Sequence, residues 1–294
     1  MDSTMSTVPD AGAVSSPKRP LWTPQHTLAL LVIVIGIIGL GLLPRLRDTP
    51  PPNDGYTLGA WLVTMALLAA FVFVAGHGIT GLWRGALIDE NNKISLSRLQ
   101  LVLWTILILS AILIAALANI SGNFPNPLAI SLPQQLWLVM GISTTSLVGS
   151  PLILGVKKGQ PSNQAALDTT AKLLTDRRAI SPGAVTAQGQ VLIKTDPRSA
   201  SWADLFTGEE TGNGAHLDMG RIQMFYFTIV LLIAYGVALG DLFVTHGKVI
   251  NAFPVLDQSM VALLAISHGA YLTNKAIPHT STTSAIQPTV SSAG

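Results

Sequence analysis

The chain has 294 residues, no cysteine, 17 Lys and Arg against 15 Asp and Glu, and only 11% charged residues, where an ordinary soluble domain carries about 25%. That much apolar composition excludes a disordered chain, and the missing cysteine excludes a disulfide framework and any thiolate metal or redox site. The net charge of +2 comes without a basic stripe interleaved with aromatics, so nucleic acid is not an expected partner.

Residues 1–26 are rich in Ser, Thr, Pro and Ala and read as a disordered leader. Six apolar runs follow, at 27–43, 57–77, 99–119, 134–155, 222–244 and 256–275, none with Lys or Arg in its middle. Each is near the ~20 residues needed to cross a bilayer, and hydrocarbon forces such runs to close their own hydrogen bonds as helices. Lys18 and Arg19 before the first run give it the look of a signal peptide. The sequence continues Leu43-Pro44-Arg45-Leu46-Arg47 with no small-x-small cleavage site, which favours a retained anchor. Turn-formers separate the runs: Pro44 and Pro50 to Pro52, then Gly122 with Pro125 and Pro127, then Pro254. The first two spans take up 27–94.

Two two-helix modules are expected after them. Arg98-x-Gln100 with Trp104-Thr105 matches Arg221-x-Gln223 with Phe227-Thr228, and Ile142-Ser143 matches Ile266-Ser267. Residues 95–156 and 219–276 therefore read as parallel repeats. Gly141, Thr145 and Gly149 form a small-residue stripe on the fourth span, matched by Ala265, Gly269 and Thr273 on the sixth. Such stripes let membrane helices approach closely, so these two spans are expected to pack through them.

Of the 17 Lys and Arg, only Arg45, Arg47 and Lys248 fall on one side of these spans. By the positive-inside rule both termini are then cytoplasmic, as is the loop at 157–218. Residues 277–294 read as a disordered cytoplasmic tail.

Arg98, Gln100, Arg221 and Gln223 are candidate polar pairs at the cytoplasmic mouth, either anchoring helices or forming a symmetric anion or headgroup site. His268 and Asp241 are the candidate intramembrane ionisable groups; His77 lies at the cytoplasmic end of its span. In the loop, 164–178 suits a short helix, and Val185 to Thr195 suits a small hairpin around Gly189. Ser201-Trp202-Ala203-Asp204-Leu205-Phe206-Thr207-Gly208-Glu209-Glu210, with His216 and Asp218, is rich in carboxylates. Its spacing matches no established cation site, and a folded cap is the expectation. There is no Walker A loop, HExxH, GxSxG or TVGYG filter.

The motifs around Arg98 to Thr105, Gly141-Ile142-Ser143, Trp202 to Glu210 and Asp218 to Gln223 resemble a family of uncharacterised bacterial inner-membrane proteins. The resemblance covers about residues 95–276 and implies a bacterial membrane location, with no catalytic residue to carry over.

The sequence thus predicts an all-α polytopic protein of the cell inner membrane, with six transmembrane helices and a small cytoplasmic α/β loop. No metal, cofactor or catalytic residue is called for. A non-enzymatic scaffold that engages a soluble protein through 157–218, self-associating in the bilayer, is the first reading. A channel or transporter with its path between the repeated hairpins is the alternative.

Overall fold

A computed structural model of the chain describes residues 22–42, 56–245 and 249–280. The leader up to residue 21, the Pro44 to Pro52 turn with Arg45 and Arg47, Lys248, and the tail from 281 onward lie outside the described residues; the end of the expected disordered leader is instead ordered, with Pro24 to His26 in the first helix and His26 bonded to His77.

Seven helices and one two-stranded sheet occur among the described residues: α1 (Pro24–Leu42), α2 (Tyr56–Thr80), α3 (Leu96–Ser121), α4 (Gln134–Lys158), α5 (Gln164–Asp176), β1 (Val185–Gln188), β2 (Val191–Lys194), α6 (Met219–Thr245) and α7 (Gln258–Ala276). Five of them, α1, α2, α3, α4 and α6, are long and apolar enough to cross a membrane. They make this a mostly helical, multi-pass membrane protein. The expected sixth span forms α7, but the polar residues along it, Ser267, His268, Asn274 and Lys275 among them, keep it out of that apolar class. It packs instead on both α4 and α6.

The helix ends follow from their capping chemistry. Ser95 accepts the Arg98 N–H at the start of α3, Asn163 the Ala166 N–H at the start of α5, and Asp257 the Ser259 N–H at the start of α7, each satisfying a donor the helix leaves open. Outward faces are apolar, with Leu31, Ile35, Phe73, Val148, Val230 and Val237 exposed, as a lipid solvent requires. Trp22 and Trp83 are exposed at one end of the bundle and Trp137 at the other, the interfacial placement that Trp favours.

α3 is the central helix, packed against α2, α4 and α6, while α1 lies on α2. The core holds Trp61, Trp104, Leu107, Ala111, Ala115, Leu231, Tyr235, Leu239 and Phe243. At the far end Asn119, 1% exposed, ties two loops together. Its amide donates to the carbonyls of Pro127 and Ile250 and accepts the Ile250 N–H, all within 2.8–3.0 Å. At the other end, here the loop end, α5, the hairpin and the turns of 81–95 and 197–218 gather into one cap. Gly189 holds the hairpin at φ +57°, and a Cβ there would stand 2.4 Å from the Lys158 carbonyl. The adjoining Gln190 N–H donates to the Lys157 carbonyl at 3.0 Å. The hairpin is thereby seated on the end of α4.

The packing departs from the expected stripe. α4 and α7 do pack, but Gly141, Thr145, Ala265, Gly269 and Thr273 are exposed, and only Gly149 turns inward, toward Leu272. The buried face of α4 is Ser143, Ser146 and Ser150, and that of α7 is Leu264, Ser267, His268 and Tyr271. A related shift appears between α3 and α6. Ser97, Gln100, Trp104, Leu107 and Ala111 occupy on α3 the buried positions that Arg221, Met224, Thr228, Leu231 and Tyr235 occupy on α6. That register is one residue beyond the motif register, a turn of about 100°. Motif-matched residues accordingly meet different surroundings.

Two glycine substitutions test this packing. Gly141→Leu, in open space, is expected to leave thermal stability in detergent unchanged. Gly189→Ala is expected to cost about 1–3 kcal/mol through its left-handed conformation and close approach. Fluorescence melting of the two variants checks the contrast, and equal effects would overturn the assignment of faces.

Candidate functional site

Two polar clusters lie inside this frame. The first is within the bundle. His268, 3% exposed, places Nδ1 2.9 Å from the Leu264 carbonyl and Nε2 3.0 Å from Gln100 Oε1. The Gln100 amide reaches the Thr228 hydroxyl on its other side. The carbonyl requires a proton on Nδ1. A neutral ring then needs the Gln100 NH2 turned to Nε2, and an imidazolium needs the oxygen there; the two amide orientations match the two protonation states. Near it on the buried faces, Ser143, Ser146 and Ser267 have hydroxyls with no hydrogen-bond partner.

The second cluster fills the loop end. Glu209 sits between Arg221 and Lys275 and pairs with both. Arg221, 3% exposed, also donates to the Asp204 carbonyl at 2.7 Å, lies 3.9 Å from Asp218, and faces the Tyr271 ring at 5.7 Å. Glu210 pairs with Lys157 through one oxygen and accepts the N–H groups of His279 and Thr280 at 2.8 and 2.9 Å through the other. Lys157 donates in addition to the Ile277 carbonyl at 2.8 Å. Asp204 pairs with Lys194 at 2.7 Å and accepts the N–H of Ser201 at 2.8 Å and that of Ile94 at 3.3 Å. Lys93, 4% exposed, donates to the Gly208 carbonyl at 3.3 Å.

The electrostatics follow from burial and pairing. Burial alone would raise the Glu209 carboxyl, but Arg221 and Lys275 beside it hold it well below the usual carboxylate range. Burial pushes the Lys93 ammonium down to about 8, against the pull of Glu209 and Asp204. Burial, reinforced by Glu209, raises the Asp89 carboxyl. The cavity among Lys157, Glu209, Asp218, Arg221 and Tyr271 holds about 10 Å³, room for about one water. Ligand pockets run to about 300–1,000 Å³. This cluster joins four segments around that small space.

The candidate residues separate accordingly. Arg221 is a buried hub, not a snorkelling anchor, because Glu209, Asp218 and Tyr271 enclose it. Arg98 is half-buried and donates to the Ile88 carbonyl at 2.7 Å. Gln100 joins His268, whereas Gln223 is exposed on the outer face of α6, so the two Arg/Gln pairs do not form a symmetric mouth. Asp241 is exposed near the far end of α6. His77 bonds His26 at 2.9 Å and stacks on Trp83. Trp202 is exposed, and Phe206 packs edge-on against Phe225. The tail residues 277–280, expected to be disordered, are docked against Glu210, Thr211 and Gly212. Among the described residues no group of three or more His, Asp and Glu could hold a metal ion.

The carboxylates of the cap were visible as a group in the sequence. Their partners Lys157 and Lys275 were not, because each is remote in sequence and brought in by a helix end, and Lys194 meets Asp204 only through the fold of the hairpin and the turn after it. No family model matches the chain, and no curated protein or solved structure matches it.

Replacing Glu209 by Gln leaves Arg221 and Lys275 without their shared counter-charge, which is expected to cost about 3–5 kcal/mol. Because the folded carboxyl lies below its ordinary 4.5, its contribution is complete above that pH and is lost as pH falls toward the folded value. Melting temperatures of the wild type and Glu209→Gln should therefore differ by a constant amount near neutrality and converge in acid. A difference that stays constant down to pH 3 would remove Glu209 from this role.

Proposed function

We propose that the chain is a non-enzymatic scaffold of the bacterial inner membrane that holds its folded cap, residues 157–218, as a platform for a soluble protein. One observation carries this reading. The space where a path between the hairpins would run is occupied by Gln100, Trp104, Thr228, Tyr235 and His268, none more than 3% exposed. The ion-paired cluster at the loop end supports it too, since it fixes the cap to three helices.

In this reading α7 is the sixth span, its polar residues tolerated because they face α3, α4 and α6 instead of lipid. The hairpins α3–α4 and α6–α7 run in parallel, with α3 on α6 and α4 on α7, the arrangement of a tandem two-helix duplication. The described Lys and Arg gather at the loop end, and the positive-inside rule then puts that end in the cytoplasm. The second reading, a channel or transporter, draws on the unpartnered hydroxyls of Ser143, Ser146 and Ser267, since orphaned polar groups ask for water.

The absence of cysteine makes a direct test simple. Single Ser143→Cys and Ser146→Cys variants in membrane vesicles are expected to resist a small, charged, membrane-impermeant thiol reagent from both sides. Ser162→Cys should react only from the cytoplasmic face and Leu128→Cys only from the opposite one. Labelling of the two buried positions would replace the scaffold by the transport reading, and reversed labelling of the outer two would overturn the orientation.

A further inference from the structure

A cavity of about 350 Å³ opens at the loop end between the first turns of α3, the last turns of α4 and the turn at 86–90. It is distinct from the ion-paired cluster, and its size falls in the range of ligand sites. Its wall divides by chemistry. Leu101, Val102, Leu147 and Leu154 form an apolar side, and Asp89, Glu90, Ser95 and Arg98 form a polar rim.

The polar rim is built and incompletely used. Asp89 accepts the N–H groups of Asn91 and Lys93 at 2.9 and 3.0 Å through Oδ1 alone, leaving Oδ2 for a donor. Arg98 is fixed by Nη1 on the Ile88 carbonyl, and the rest of its guanidinium fork remains for an anion. Glu90 meets only the Lys158 ammonium, at 3.6 Å. Lys93, the cation nearest in the turn, points its ammonium to Gly208 instead. Pro151 lies inside α4 on the same wall and has no N–H to give the Leu147 carbonyl, which loses its helical donor. The rim therefore offers one guanidinium and two carboxylates above an apolar floor.

We propose that this cavity is a binding site for a zwitterionic phospholipid whose headgroup ends in a primary ammonium. The phosphodiester pairs with Arg98, the ammonium donates to Asp89 and Glu90, and the start of an acyl chain lies along Leu101, Val102 and Leu154. The charge pattern selects among lipids. An anionic headgroup such as phosphatidylglycerol brings no cation to two carboxylates, and a quaternary ammonium such as choline has no N–H to donate. The site does not depend on the scaffold reading.

Native mass spectrometry of the delipidated protein tests it, with dioleoyl phosphatidylethanolamine, phosphatidylcholine and phosphatidylglycerol supplied at equal concentration. Phosphatidylethanolamine is expected to be retained about tenfold more strongly than either of the others, at one copy per chain. Glu90→Gln, on an exposed side chain, and Asp89→Asn should both narrow that preference, and Arg98→Gln should weaken all three lipids. Val102→Trp fills the cavity and should abolish retention while leaving the helical circular dichroism intact. Equal retention of the three headgroups, a preference unchanged in Glu90→Gln and Asp89→Asn, or retention that survives Val102→Trp would each overturn the proposal.

Discussion

A carboxylate buried between two cations organises the loop end. Glu209 reaches Arg221 at the start of α6 and Lys275 at the end of α7, so one side chain of the cap fixes the relative position of two helices. Removing charges from water is costly unless each finds a partner with further hydrogen bonds. That requirement explains the surrounding detail: the Asp204 carbonyl on Arg221, Tyr271 beneath both cations, and Glu210 completing the set with Lys157. In a bundle whose outer faces are lipid-like, this small polar assembly supplies the directional contacts that apolar packing lacks.

The interior of the bundle obeys the same rule less completely. Gln100, Thr228 and His268 satisfy one another across α3, α6 and α7, and the His268 ring is anchored to its own helix through the Leu264 carbonyl. The serines along α4 and α7 do something different. A serine is almost as small as alanine, so Ser143, Ser146 and Ser150 permit close helix approach as glycine would. Of these, Ser150 alone is bonded across the interface, to Lys275 and near Tyr271.

Helix positions and the existence of the cap were legible because they depend on local signals: apolar run length, the Pro and Gly between runs, and the turn at Gly189. Faces were not. The small residues Gly141, Thr145, Ala265 and Gly269 have the spacing of an interface, yet serines one or two positions away fill that role, and the sequence rule does not distinguish two small-residue rows on one helix. Similarly, the shared Arg-x-Gln motif suggested equal surroundings, while a one-residue difference of register buries Gln100 and exposes Gln223. The pairing of Glu209 and Glu210 with Lys275 and Lys157 was beyond reach because it depends on how the helices converge, which no local pattern encodes.

The docked segment after α7 sets the order in which the molecule can be completed. Glu209 and Glu210 precede α7 in the chain, while Lys275 and the His279 and Thr280 amides that engage them lie at its end and beyond it. As the polypeptide emerges from the ribosome, the cap can fold around Arg221 and Lys157, but its two acids acquire their full complement of partners only once α7 is in place. Closure of the cap therefore waits on α7, and a chain cut short before Lys275 would carry an incompletely neutralised acidic patch as the mark of its incompleteness.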